Sequence, residues 1–131
     1  MTMRRSIRMW LAALLVCAAA GSLRAEAPET VMITLHAKAG AETELARVIA
    51  HHWETVQRLE LATDAPHVTL RAEEGTLTYF VEIFTWRDAS IPDAAPKEIQ
   101  AIWADMNRLV EKRNGKPGLT ITEVSLVAGK P

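Results

Sequence analysis

Cysteine is nearly absent from this chain: its 131 residues hold one, Cys17. That residue sits in an N-terminal stretch that reads as a removable leader, so residues 26–131 contain none. Disulfide staples, thiol nucleophiles and thiolate metal sites are therefore excluded from the body of the protein. Long apolar runs are missing too. The longest, Met9–Ala20, is too short to span a bilayer comfortably. Neither a glycine-rich phosphate loop nor a nucleophile elbow is present, so nucleotide binding and triad hydrolysis find no support. Aromatic residues are scarce, with one tyrosine, two phenylalanines and four tryptophans. Yet Tyr79, Phe80, Phe84 and Trp86 all fall in one segment, LTYFVEIFTW (77–86), which also holds a carboxylate, Glu82.

What is present begins with Arg4, Arg5 and Arg8, followed by the apolar run and small residues, with no acidic residue before Glu26. This is the pattern of a secretory signal peptide, with cleavage expected after Ala25. Ala20 fits the small-residue rule equally well, and an uncleaved anchor is the alternative. Val16 stands where a lipobox wants Gly or Ala, which argues against lipidation of Cys17. The Ala-rich run looks bacterial, so the periplasm, or secretion, is the expected destination. Loss of residues 1–25 takes four of the 15 basic side chains and no acidic one. Eleven then face 16 acidic groups, a net charge of −5. That balance disfavours nucleic acid and anionic membrane as partners.

Residues 26–131 make one domain. TVMITLHA alternates and predicts a strand over 30–37. Residues 41–61 predict a helix whose buried stripe is Leu45, Val48, Ile49, His52, Trp53, Val56 and Leu59, closed by TDAP. HVTLRA (67–72) predicts a strand, EEG a turn, and 77–86 a third strand in hairpin with it. A helix over 94–113 has the stripe Ile99, Ile102, Trp103, Met106, Leu109 and Val110, and NGKPG stops it. LTITEVSLV (119–127) predicts a last strand. The order βαββαβ predicts an α+β, ferredoxin-like sandwich with two helices on one face of a four-stranded antiparallel sheet. The other face is left uncovered by this chain, and an uncovered apolar sheet face wants an isologous partner.

Four passages carry a family resemblance: LHAKAGAETELARVI, YFVEIFTWRDAS, IQAIWADMNRLVE and LTITEVSLV. Together they span nearly all of residues 30–127. Through them the domain resembles the antibiotic biosynthesis monooxygenase-like family of the dimeric α+β barrel superfamily. The resemblance implies a homodimer in which two open sheet faces close a barrel. It also implies oxidation of polycyclic aromatic or quinol-type molecules by oxygen without a cofactor, or else haem degradation. The haem degraders use a His on the second helix, with an Asn on the first strand. Residues 94–113 hold no His, and strand one offers Thr34 and His36, so haem chemistry is not expected. The His often found just before the second helix in the family is also missing, since Ala94 and Ala95 stand there.

Alternation places Met32, Thr34, His36, His67, Thr69, Arg71, Phe80, Glu82, Phe84 and Trp86 on the face away from the helices, and Tyr79 on the helix side. Aromatic walls with a few ionisable groups suit a small-molecule cavity. Glu82, desolvated among rings, would have a raised pKa and could act as a base; the plainer reading is a cross-strand ion pair with Arg71. His36 is a second candidate base, or like His67 a strand-end histidine near solvent. A metal site of His36, His67 and Glu82 lacks any short ligand spacing, so no metal is expected. His52 reads as a core histidine satisfied by a backbone carbonyl, and Trp53 and Trp103 as core. The resulting expectation is a periplasmic homodimer binding a small apolar or aromatic molecule in a barrel cavity. Glu82 and His36 would be catalytic, and Phe80, Phe84, Trp86, His67, Arg71 and Met32 would bind substrate, with no cofactor. The alternatives are a non-catalytic binding or sensing protein, and a closed interface with no cavity.

Overall fold

Strand β1 (Glu29–His36) alternates buried Val31, Ile33 and Leu35 with half-buried Met32, Thr34 and His36. It occupies the middle of the sheet in the computed structural model, which describes residues 26–127. The leader expected over 1–25 lies outside the described residues. Helix α1 (Glu42–Arg58), hairpin strands β2 (Val68–Glu74) and β3 (Leu77–Trp86), helix α2 (Lys97–Leu109) and strand β4 (Leu119–Glu123) complete the expected βαββαβ order. All pairings are antiparallel, and the strand order is β2-β3-β1-β4. This is the ferredoxin-like arrangement. Both helices lie on one face, where Leu45, Ile49 and Val56 of α1 and Ile99, Ile102 and Met106 of α2 close the core over Val31, Ile33 and Leu35. Among the described residues no helix is long and apolar enough to cross a membrane.

Helix α1 ends at Arg58 instead of 61, and β1 and β2 are shifted by one or two residues; three other boundaries differ for a clear physical reason. The second helix starts at Lys97 instead of 94. Pro96 forces Ala95 into an extended conformation (φ −61, ψ 145), so IPDA forms a separate 3-10 turn over Ile91–Ala94. The same helix ends at Leu109 instead of 113. Val110 turns extended and bridges Ala37, and the Glu111 amide donates to the His36 carbonyl at 2.9 Å. That contact satisfies backbone groups at the end of β1 that no strand reaches. Strand β4 stops at Glu123 because its partner in the ladder, Val31, lies near the start of β1.

The register fixes which residues share a face. Val31 pairs with Phe84, Ile33 with Glu82 and Leu35 with Phe80, while Thr69 pairs with Glu82 and Arg71 with Phe80. The even-numbered side chains of β3 therefore lie under the helices, with the odd-numbered side chains of β1. The open face instead carries Met32, Thr34 and His36 with Tyr79, Val81, Ile83, Val68, Leu70, Thr120 and Thr122. This corrects the expected placement of both hairpin strands: Thr69 and Arg71 of β2 share the helix side with Glu82 and Phe80, and His67 joins Glu82 there. Phe80, Glu82, Phe84 and Trp86 are buried on the helix side, and Tyr79 is on the open face.

Candidate functional site

A buried carboxylate needs partners, and two histidines supply them to Glu82, one of them fixed in turn by an indole. Helix α1 carries His52 on its inward stripe, and the ring donates from Nδ1 to Glu82 Oε1 at 3.1 Å. His67, just before β2, reaches Glu82 Oε2 from Nε2 at 3.2 Å and is flanked by Thr69 Oγ1 at 3.3 Å. Helix α2 brings Trp103, whose indole Nε1–H donates to His52 Nε2 at 3.1 Å. An indole nitrogen can only donate. His52 Nε2 is therefore an acceptor, and the ring proton sits on Nδ1 facing the carboxylate. His52 and Glu82 are both 0 % exposed. The chain Trp103–His52–Glu82–His67 thus runs from the second helix, through the core, to the half-exposed edge of the sheet.

The charge state of Glu82 is the reverse of the sequence expectation. Burial alone pushes its carboxyl up. The hydrogen bonds of His52 and His67, with the electrostatic influence of the two rings, outweigh burial and hold it below its ordinary value. The Arg71 ion pair is not formed either. Arg71 lies 3.6 Å from Glu73, with its guanidinium over the Phe80 ring. Aromatic rings enclose the network. Phe84 and Trp86 meet edge to face with centroids 4.7 Å apart, and Trp53 stacks flat on His67 at 3.9 Å.

Beside this network is a cavity of about 460 Å³ between α2 and the β1–β4 half of the sheet. Val31, Ile33, Leu119 and Ile121 form its floor, Trp86, Trp103 and Met106 its walls, and Glu29, Asp93 and Asn107 are also among its lining residues. The two indoles stand nearly perpendicular, 6.3 Å apart. An apolar space with few polar groups and two rigid ring walls suits a small, largely aromatic molecule.

Of the residues singled out in the sequence, the structure brings Glu82 and His67 together and sets Trp86 on the cavity wall. Phe80 and Phe84 are core. His36 and Met32 lie on the opposite face of the sheet and share no site with Glu82. His36 meets Tyr79 at a tilt, ring centroids 5.4 Å apart, and accepts from Arg113 Nη1 at 3.3 Å. Burial and the Arg113 charge hold its ring below the ordinary value of 6.5, against the opposing pull of Glu74. The cavity also lies within the chain, between sheet and helix, and not on the open face. Two residues were missed, His52 and Trp103. The available signal was a histidine on the buried stripe of α1 facing a strand with a lone embedded carboxylate. Two buried polar groups on facing elements imply each other. Among the described residues no group of three His, Cys, Asp or Glu is arranged to hold a metal ion. The lone pair of His52 Nε2 is already committed to Trp103.

The element order and strand pairing define an α+β, ferredoxin-like sandwich. The chain is similar in structure to a variant of SnoaB, a cofactor-independent oxygenase from Streptomyces nogalater. The TM-score is 0.60 at 17% sequence identity, over 79% of this chain and 97% of that one. The likeness bears out the fold expected from the sequence. No family model and no curated protein matches the chain.

Proposed function

We propose that this protein is an exported homodimer that binds a small apolar or aromatic molecule in the cavity between its sheet and second helix. We infer that it oxygenates that molecule without a cofactor. The observation that carries the reading is the cavity itself, with an aliphatic floor and two perpendicular indoles, Trp86 and Trp103, as walls. Likeness in fold to a cofactor-independent oxygenase supports the reaction class. Such a reaction balances with oxygen alone: a substrate methylene becomes a carbonyl, and the second oxygen atom leaves as water. The chain's own contribution is to exclude water, hold the ring plane against the corner formed by the two indoles and keep Trp103 fixed through His52 and Glu82.

A second reading, binding without catalysis, is favoured by one feature. Glu82, His52 and His67 do not open onto the cavity, which leaves it without a buried base. Oxygen-electrode measurements on the purified protein with a tricyclic phenol separate the two. Saturable oxygen uptake, lost in Trp103→Ala, is the expected result. Saturable quenching of tryptophan fluorescence by the same phenol without oxygen uptake would establish the binding reading. Neither uptake nor quenching would overturn both.

A further inference from the structure

We propose that Trp103 is a redox-active residue of the cavity wall, and that His52 is the base that takes its indole proton when the ring gives up an electron. Use of this couple on a bound aromatic rests on the function proposed above. The couple itself does not.

The choice of acceptor is the first ground. A buried indole N–H is satisfied by any carbonyl or water. Here it meets an imidazole nitrogen at 3.1 Å. A carbonyl can hold that proton but cannot take it, whereas an imidazole can do both. The second ground is what stands behind the imidazole. Glu82 accepts from Nδ1 at 3.1 Å, so an imidazolium formed at His52 is stabilised as it forms. A carboxylate behind a catalytic histidine acts in the same way. The third is seclusion. With His52 and Glu82 both 0 % exposed, no water competes for the proton, and the short electrostatic distances act in a low dielectric. Trp103 joins this dyad to the cavity by a hydrogen bond, one edge on His52 and its ring on the cavity wall, whereas Trp86, also on the wall, meets His52 by ring contact.

The oxidant is a peroxyl radical, formed when oxygen adds to a ring carbon of a bound aryloxyl radical. It takes one electron from the Trp103 indole and becomes a peroxide anion. The indole N–H bond breaks, its proton forms a new bond to His52 Nε2, and Trp103 is left as a neutral radical. A second aryloxide then gives Trp103 one electron and becomes the next aryloxyl radical, and His52 returns the proton, which restores the indole.

The test uses the purified protein without ligand and photogenerated tris(bipyridine)ruthenium(III) as the one-electron oxidant. Transient absorption then distinguishes a neutral tryptophanyl radical from a radical cation. The wild type should give the neutral radical, and Trp103→Phe should lose it. His52→Gln still offers Trp103 an acceptor and Glu82 a donor but cannot take a proton. It should replace the neutral radical by the cation or abolish the signal. Wild-type oxidation should also slow after exchange into deuterated buffer, a readout that needs no variant to fold. A neutral radical undiminished in His52→Gln, a signal unaltered in Trp103→Phe, or no slowing in deuterated buffer would overturn the proposal. Since no ligand is present, failure here leaves the oxygenase reading standing, and failure of oxygen uptake leaves the couple standing.

Discussion

At the scale of the residue, Glu82 decides most. Its carboxylate is completely buried and is held ionised by two imidazoles. Hydrogen bonds to a buried charge are worth more than those between neutral groups, so Glu82→Gln should lower stability at neutral pH by about 2 kcal/mol. Urea denaturation measures this directly. The pH dependence follows from the direction of the shift. The folded-state pKa lies below the ordinary value of 4.5, so the unfolded chain binds its proton first as pH falls. The stabilisation is complete above that value and is lost as pH drops through the folded-state value. The wild type should therefore lose stability on acidification more steeply than Glu82→Gln, and the two denaturation midpoints should converge. Parallel curves down to strong acid would mean that Glu82 is not the charged group the geometry makes it. The plan of the network was half legible in the sequence. Glu82 stood out as a carboxylate among rings, but His52 looked self-sufficient because a backbone carbonyl can always satisfy one ring nitrogen. Only the packing angle of α1 brings Nδ1 over β3 and Nε2 toward α2.

At the scale of the element, the passage from α2 to β4 contains a close backbone approach. Gly118 packs so closely on the backbone of Glu111 that an added Cβ would lie 2.5 Å from its carbonyl oxygen and 2.7 Å from its nitrogen. The Gly118 carbonyl also accepts from the His36 amide at 2.7 Å, which starts the β1–β4 ladder. Gly118→Ala should cost about 1–3 kcal/mol. It should also weaken binding in the cavity, because Leu119 and Ile121 of β4 form part of its floor. A variant as stable as the wild type in urea would show that the close approach is not there. The elements themselves were legible, because their signals are local: alternation in β1, the inward stripes of both helices, NGKPG as a stop, and the whole of Leu77–Trp86 as a strand. The phase of β3 was not. Both of its faces are apolar, so alternation cannot say which one meets the helices. Tyr79 looked like the helix side, and aromatic Phe80, Phe84 and Trp86 like a pocket. The pairing of Val31 with Phe84 settles the matter the other way, and β2 is inverted with β3 through the hairpin register, so the expected site residues on both strands moved to the other face.

At the scale of the whole molecule, the open sheet face remains to be accounted for. Both helices serve the other side, so Met32, Val81 and Ile83 are only half buried, and Val68 and Leu70 are 38% and 52% exposed. A contiguous apolar face on a small domain calls for a partner, and a two-fold dimer presents each copy with the same patch. Such an interface needs about 800 Å² from each subunit, roughly what one face of a four-stranded sheet offers. Val81 sits on β3, an inner strand of that face, and its substitution by lysine tests the arrangement with little harm to the core. Val81→Lys should sediment as a monomer where the wild type sediments as a dimer, with unchanged circular dichroism. Because the cavity lies on the far side of the sheet, quenching by the tricyclic phenol should survive the loss of the partner. If binding disappears together with the dimer, the ligand sits between the subunits and not under α2. If the wild type is itself a monomer at high micromolar concentration, the open face is not an interface between copies of this chain.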